Sequence, residues 1–116
     1  MTNTYIPDGW EIIFKRSIGN DWCTYFVFGS WSGGYLYGDN WRRNSGITEV
    51  KEDDSYYYFY GNSGSVYKCH KDNSNISSYG SSVLGEMLEL DGVETLNKEL
   101  IHETFKITKL TEGNDL

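Results

Sequence analysis

The stretch Ser55-Tyr56-Tyr57-Tyr58-Phe59-Tyr60-Gly61-Asn62-Ser63-Gly64-Ser65-Val66-Tyr67-Lys68-Cys69-His70 decides how the chain folds. Five aromatics in a row run into a turn bracketed by glycines, and a second β-prone run follows. Successive side chains of a strand point to opposite faces, so five consecutive aromatics cannot share one core. Either both faces of this strand are covered, or a row of tyrosines is kept for something else.

Turn chemistry separates two registers. A two-residue Asn62-Ser63 turn pairs Gly61 with Gly64. It mixes Tyr56, Tyr58, Tyr60, Tyr67 and Cys69 on one face, and it demands a positive φ at Ser63, which serine resists. A three-residue loop, Asn62-Ser63-Gly64, puts Gly64 in the left-handed region beside a bulge and pairs Gly61 with Ser65. Now Tyr57, Phe59, Tyr67 and Cys69 share a core face. Tyr56, Tyr58, Tyr60, Val66, Lys68 and His70 share the other. The second register sorts the residues better and is the one expected.

The rest of the first two-thirds also reads as strands between Gly/Asn/Asp/Ser turns. In Trp10–Arg16, Trp10, Ile12 and Phe14 alternate onto one face. Trp22–Phe28 is apolar on both faces and reads as a central strand, entered through a turn at Ile18–Asp21. Tyr35-Leu36-Tyr37 reads as a short strand, Trp41–Gly46 as irregular, and Ile47–Val50 as the start of another strand. Glu52-Asp53-Asp54 forms an acidic turn before the hairpin. Residues 72–82 are small and polar and read as a mobile loop.

Beyond that loop, Val83, Leu84, Met87 and Leu88 recur at helical spacing. Asp91-Gly92-Val93-Glu94 matches a capping box, followed by Val93, Leu96 and Leu100 on one helical face. One or two short helices across residues 82–102 are expected. Phe105, Ile107 and Lys109 alternate as a final strand, and 111–116 reads as a frayed tail. The expected fold is α+β, predominantly antiparallel β: a twisted, meander-like sheet of about five to seven strands with those helices. Residues 1–116 form one domain.

Composition narrows the function. With 17 Asp and Glu against 10 Lys and Arg, the net charge is −7. Direct nucleic-acid binding draws most of its affinity from cations on phosphates, so this balance argues against it. It suits a soluble protein that meets a basic partner. No apolar run reaches the ~20 residues of a membrane span. The N-terminus lacks a basic region followed by an apolar stretch, which speaks for a cytoplasmic protein. In a reducing compartment, Cys23 and Cys69 are expected to be free and buried.

The chemistry-bearing residues form no recognisable catalytic constellation. Cys23, Cys69, His70 and His102 lack zinc-ligand spacing, and adjacent Cys69 and His70 point to opposite faces. Glu49, Glu52, Asp53 and Asp54 cluster without calcium-loop spacing and read as a solvated turn. Gly29-Ser30-Trp31-Ser32-Gly33-Gly34 lacks the features of a phosphate loop. No metal or cofactor is expected.

Two binding surfaces stand out. The first is the tyrosine row Tyr56, Tyr58 and Tyr60, flanked by Lys68, His70 and the acidic turn Glu52, Asp53 and Asp54. Tyrosine offers large contact area at little rotamer cost and is enriched at interface hot spots. The second is the set Trp31, Tyr35, Tyr37 and Trp41 with Arg42 and Arg43, which could stack a sugar or planar ligand. The Arg pair could also answer the acidic turn within the fold. The expected function is non-enzymatic protein binding, as an inhibitor of a basic or nucleic-acid-handling protein. In size and charge the chain is similar to small phage anti-defence and nuclease-immunity proteins, a likeness of composition that covers no motif. The alternative is a small-ligand or carbohydrate-binding β-domain. Aromatic β-edges also allow a homodimer.

Overall fold

The structure, a computed structural model, describes residues 3–16, 23–32, 39–72, 78–90 and 93–110. Its strands are β1 (Thr4–Tyr5), β2 (Gly9–Arg16), β3 (Cys23–Ser32), β4 (Asp39–Arg43), β5 (Ile47–Glu52), β6 (Tyr56–Gly61), β7 (Val66–His70), β8 (Glu94–Leu96) and β9 (Ile107–Lys109). Two helices accompany them, α1 (Ser78–Leu90) and α2 (Ile101–Thr104). The class is α+β and mainly antiparallel. The strands divide between two sheets, ordered β1-β7-β6-β5-β9 and β4-β3-β2-β8.

The hairpin adopts the three-residue register. Tyr57 faces Cys69, Phe59 faces Tyr67, and Tyr58 faces Lys68. Gly61 N–H donates to the Ser65 carbonyl at 2.8 Å, and Gly64 takes φ +91°. A glycine bears that φ without the Cβ clash other residues meet.

The alternation Trp10/Ile12/Phe14 builds β2 as read. Trp10 and Ile12 are fully buried and face the hairpin's inner side. The Trp10 ring lies 5.6 Å from Phe59 and 5.9 Å from Tyr57. The core between the sheets joins Trp10, Ile12 and Val27 to Val50, Phe59, Tyr67 and Cys69, closed by Leu96 and Ile101. Burying one such side chain is worth about 1.5–3 kcal/mol, so this layer dominates the stability.

A second cluster explains why β3 is apolar on both faces. Ile13 and Phe28 point away from the first core and meet Leu84, with Phe26, Trp41, Val83, Met87 and Leu88 packed alongside. These are the helical-period residues, and they seat α1 on the outer face of the smaller sheet. Asn44 governs the passage from one sheet to the other. Its Oδ1 accepts from Val27 N–H at 2.9 Å, and the turn continues through Gly46 at φ +123°.

Several expectations are corrected. Trp41–Gly46 is not irregular throughout, because Asp39–Arg43 pairs with β3 as β4. Residues 78–82, expected in a loop, open α1, while 73–77 lie outside the described residues. The helix expected after Asp91 gives way to β8, with Leu96 opposite Ile12. β2 has an edge to fill, and pairing there buries Leu96 at the core, which outweighs the local helical pattern. Asp91 lies outside the described residues. Glu94 bonds Arg16 at 3.1 Å instead of capping a helix. Helix persists only as a 3₁₀ turn at Lys98–Leu100, capped by Asn97 Oδ1 on Glu99 N–H, running into α2. The final strand forms only over Ile107–Lys109, because Phe105 caps the end of α2, and it runs parallel to β5. The Ile18–Asp21 turn, Trp22, the Tyr35–Tyr37 strand and the 111–116 tail lie outside the described residues. No helix among the described residues is long and apolar enough to cross a membrane.

Candidate functional site

The period-two geometry of β5–β7 carries Tyr56, Tyr58 and Tyr60 onto the outer face of the larger sheet. Lys68 sits opposite Tyr58 on β7, and Lys51 sits opposite Tyr58 on β5. The three rings are half-buried, as are Lys51, Lys68 and His70. Lys68 Nζ lies 4.4 Å from the Tyr56 ring centre and 5.9 Å from that of Tyr58. Lys51 Nζ lies 5.1 Å from that of Tyr60. The Tyr56 ring meets the His70 imidazole edge-on at 5.1 Å. The result is a stripe of aromatic faces interleaved with ammonium groups, held by cation–π attraction. Neither described helix covers it, since α1 packs on the smaller sheet and α2 joins the inner core through Ile101.

The neighbouring acidic residues have different fates. Asp53 is a fastener. Its Oδ1 accepts from Ser55 and Tyr56 N–H at 2.9 and 2.7 Å, and its Oδ2 accepts from the Tyr58 hydroxyl at 2.6 Å. The Tyr58 hydrogen bond, aided by the Ser55 and Tyr56 N–H groups and the Lys68 charge, holds the Asp53 carboxyl below its ordinary pKa against the opposing effect of burial. Burial, followed by the Asp53 hydrogen bond and charge, pushes Tyr58 up to about 12. Asp54 is exposed and reaches Lys109 at 3.4 Å.

Glu52 departs from the solvated-turn reading. It is only 8% exposed and faces inward. Lys71 Nζ meets its Oε1 at 2.7 Å, and His102 Nε2 meets its Oε2 at 2.9 Å. Burial alone would raise the Glu52 pKa. The hydrogen bonds and charges of Lys71 and His102 outweigh it and hold the carboxyl below its ordinary value. The sequence hid this, because a carboxylate beside Asp53 and Asp54 looks like one more member of a turn. Its position opposite Tyr57, an inward residue, is what buries it. Conversely, Glu49 and Lys51 belong to the tyrosine face, and their alternation with Val50 was the signal for it.

The second set does not converge. Trp31 points toward the inter-sheet core, donating from Nε1 to the Ile6 carbonyl at 2.9 Å. Trp41 points to the opposite face and stacks on Phe28 at 5.5 Å. The two indoles therefore form no shared sugar platform, and Tyr35 and Tyr37 lie outside the described residues. Arg42 and Arg43 do not answer the acidic turn. Arg42 lies over Tyr5 at 4.6 Å and Arg43 over Phe26 at 4.5 Å.

Both cysteines are free, with Cys69 buried and Cys23 half-buried. Burial pushes the Cys69 thiol well above its ordinary value, which keeps it an unreactive core group. Among the described residues, no group of three or more His, Cys, Asp or Glu stands together to hold a metal ion. Most of the excess charge lies elsewhere: between Glu86 and Glu103 the chain has six carboxylates and one lysine. Glu86, Glu89, Glu94, Glu99 and Glu103 are all exposed. No protein-family model matches the chain, and neither a curated protein nor a solved structure matches it.

Proposed function

We propose that the chain is a non-enzymatic protein-binding domain that acts by occupying a basic partner, such as a nucleic-acid-handling protein. The observation that carries this reading is the stripe of Tyr56, Tyr58 and Tyr60 on a sheet face that neither described helix covers. Rings already fixed by Lys68, Lys51 and Asp53 lose little further freedom on docking, which favours them as anchors. The stripe itself is close to charge balance, with Lys51 and Lys68 beside Glu49 and Asp53. Steering toward a basic surface falls to the exposed carboxylates of Glu86, Glu89, Glu94, Glu99 and Glu103, whose effect is long-range and sensitive to salt.

Affinity capture from the source organism's lysate, at low and high salt, tests the reading. Wild type is compared with a Tyr56→Ser, Tyr58→Ser, Tyr60→Ser triple variant whose folding is checked by thermal melting. A basic protein retained by wild type, lost by the folded variant and weakened by salt supports the proposal. Capture of the same protein by both forms overturns it.

A further inference from the structure

The edge strand β4 and helix α1 enclose a cleft of ≈ 460 Å³ lined by Trp41, Arg42, Arg43 and Met87. It lies on the smaller sheet, apart from the tyrosine stripe. Three features of this cleft belong together.

The first is charge. In a chain where carboxylates outnumber cations, several basic residues find acidic partners: Arg16 with Glu94, Lys51 with Glu49, Lys71 with Glu52 and Lys109 with Asp54. Arg42 and Arg43 are exposed and form no ion pair among the described residues. The second is orientation. The Arg43 guanidinium lies over Phe26 on the face of Trp41 and Met87, whereas Arg42 turns to the inner face and lies over Tyr5. Such stacking engages the flat face and leaves the N–H edge for an acceptor, so the fork is arranged before any anion arrives. The third is the apolar wall. The Trp41 indole is held by parallel stacking on Phe28, with an interplanar angle of 12°, and Met87 supplies an adaptable thioether opposite.

Taken together, a fixed indole, a thioether and one pre-arranged guanidinium, that of Arg43, select a ligand with a flat ring and a negative group. We infer that this cleft binds a planar aromatic anion, a ring bearing a phosphate or a carboxylate. The ring lies against Trp41 and Met87, and the anion accepts from Arg43.

The full-length chain is titrated with adenosine 5′-monophosphate and, separately, with 4-hydroxybenzoate, following the Trp41 indole N–H and the Met87 methyl by NMR. Adenosine and inorganic phosphate serve as probes of ring and charge alone. Saturable shifts confined to Trp41 and Met87 are expected with at least one ring-bearing anion, and weaker binding with either single-feature probe. The tighter of the two anions tells phosphate from carboxylate. Arg43→Gln, checked for folding by an unchanged Trp10 indole signal, is expected to lose about tenfold or more in affinity, as removal of a charge-assisted hydrogen bond does. Arg43→Lys is expected to recover only part of it, because the charge returns without the fork. Shifts that fail to saturate with both anions, or an affinity unchanged in Arg43→Gln, overturn the inference.

Discussion

The Tyr58 hydroxyl donates a 2.6 Å hydrogen bond to Asp53 Oδ2, and the same carboxylate caps the turn that opens β6. One residue therefore ties the entry of the hairpin to the middle ring of the outer stripe. Tyr58→Phe removes the bond while keeping the ring. It is expected to cost about 1 kcal/mol and to raise the Asp53 pKa toward its ordinary value. Because the Asp53 pKa is lowered in the fold, its contribution is complete above the ordinary carboxylate range. It is lost as pH falls through the folded value. Urea unfolding and carboxyl NMR titration of the two forms check this, and an unmoved Asp53 titration in Tyr58→Phe counts against it.

Glu52 makes a second, independent acid-sensitive contact by joining β5 to Lys71 and α2. Its pKa is also lowered, so the contact is intact above the ordinary glutamate value of 4.5 and fails as pH falls through the lower folded value. Glu52→Gln is expected to reduce stability at neutral pH by about 1–3 kcal/mol, since a buried charge-assisted pair is replaced by weaker neutral bonds. It should also flatten the acid limb of the melting-temperature profile. Parallel acid limbs for variant and wild type would show that Glu52 does not drive acid unfolding.

Two glycines should respond in opposite directions. Gly64 has open space around its missing Cβ but a φ of +91°, so Gly64→Ala pays only backbone strain, about 1 kcal/mol. Gly85 also has open space but lies inside α1 with no such φ, and Gly85→Ala is expected to stabilise by about 0.5–1 kcal/mol. Denaturant midpoints of the two variants on opposite sides of wild type are the expected result.

Adjacent hairpin aromatics should differ as sharply. Phe59 is fully buried against Trp10, so Phe59→Ala is expected to cost about 3–5 kcal/mol. Tyr60 is half-buried on the outer face, and Tyr60→Ala is expected to cost about 1 kcal/mol or less. Equal losses in chemical denaturation would mean that the outer stripe is as integral to the fold as the core.

The hairpin was legible in the sequence because its determinants are local. A glycine at the third loop position selects the turn, the turn selects the register, and the register assigns each face. The pattern of α1 was legible for the same reason, since Val83, Leu84, Met87 and Leu88 carry their own period. Elsewhere the local pattern was degenerate. Val93, Leu96 and Leu100 suit a helix face, yet Leu96 gains more beside Ile12 at an edge that β2 leaves to be filled.

The sequence by itself determined the β-rich class, the hairpin register and the division of its aromatics into inner and outer rows. Only the tertiary structure decided that the strands form two sheets, that Glu52 turns inward to Lys71 and His102, and that Arg42 and Arg43 lie on aromatic rings rather than at the acidic turn. The physical reason is range. Turn geometry and side-chain alternation act within a few residues, whereas burial of a charge or filling of a sheet edge depends on which distant segment arrives beside it.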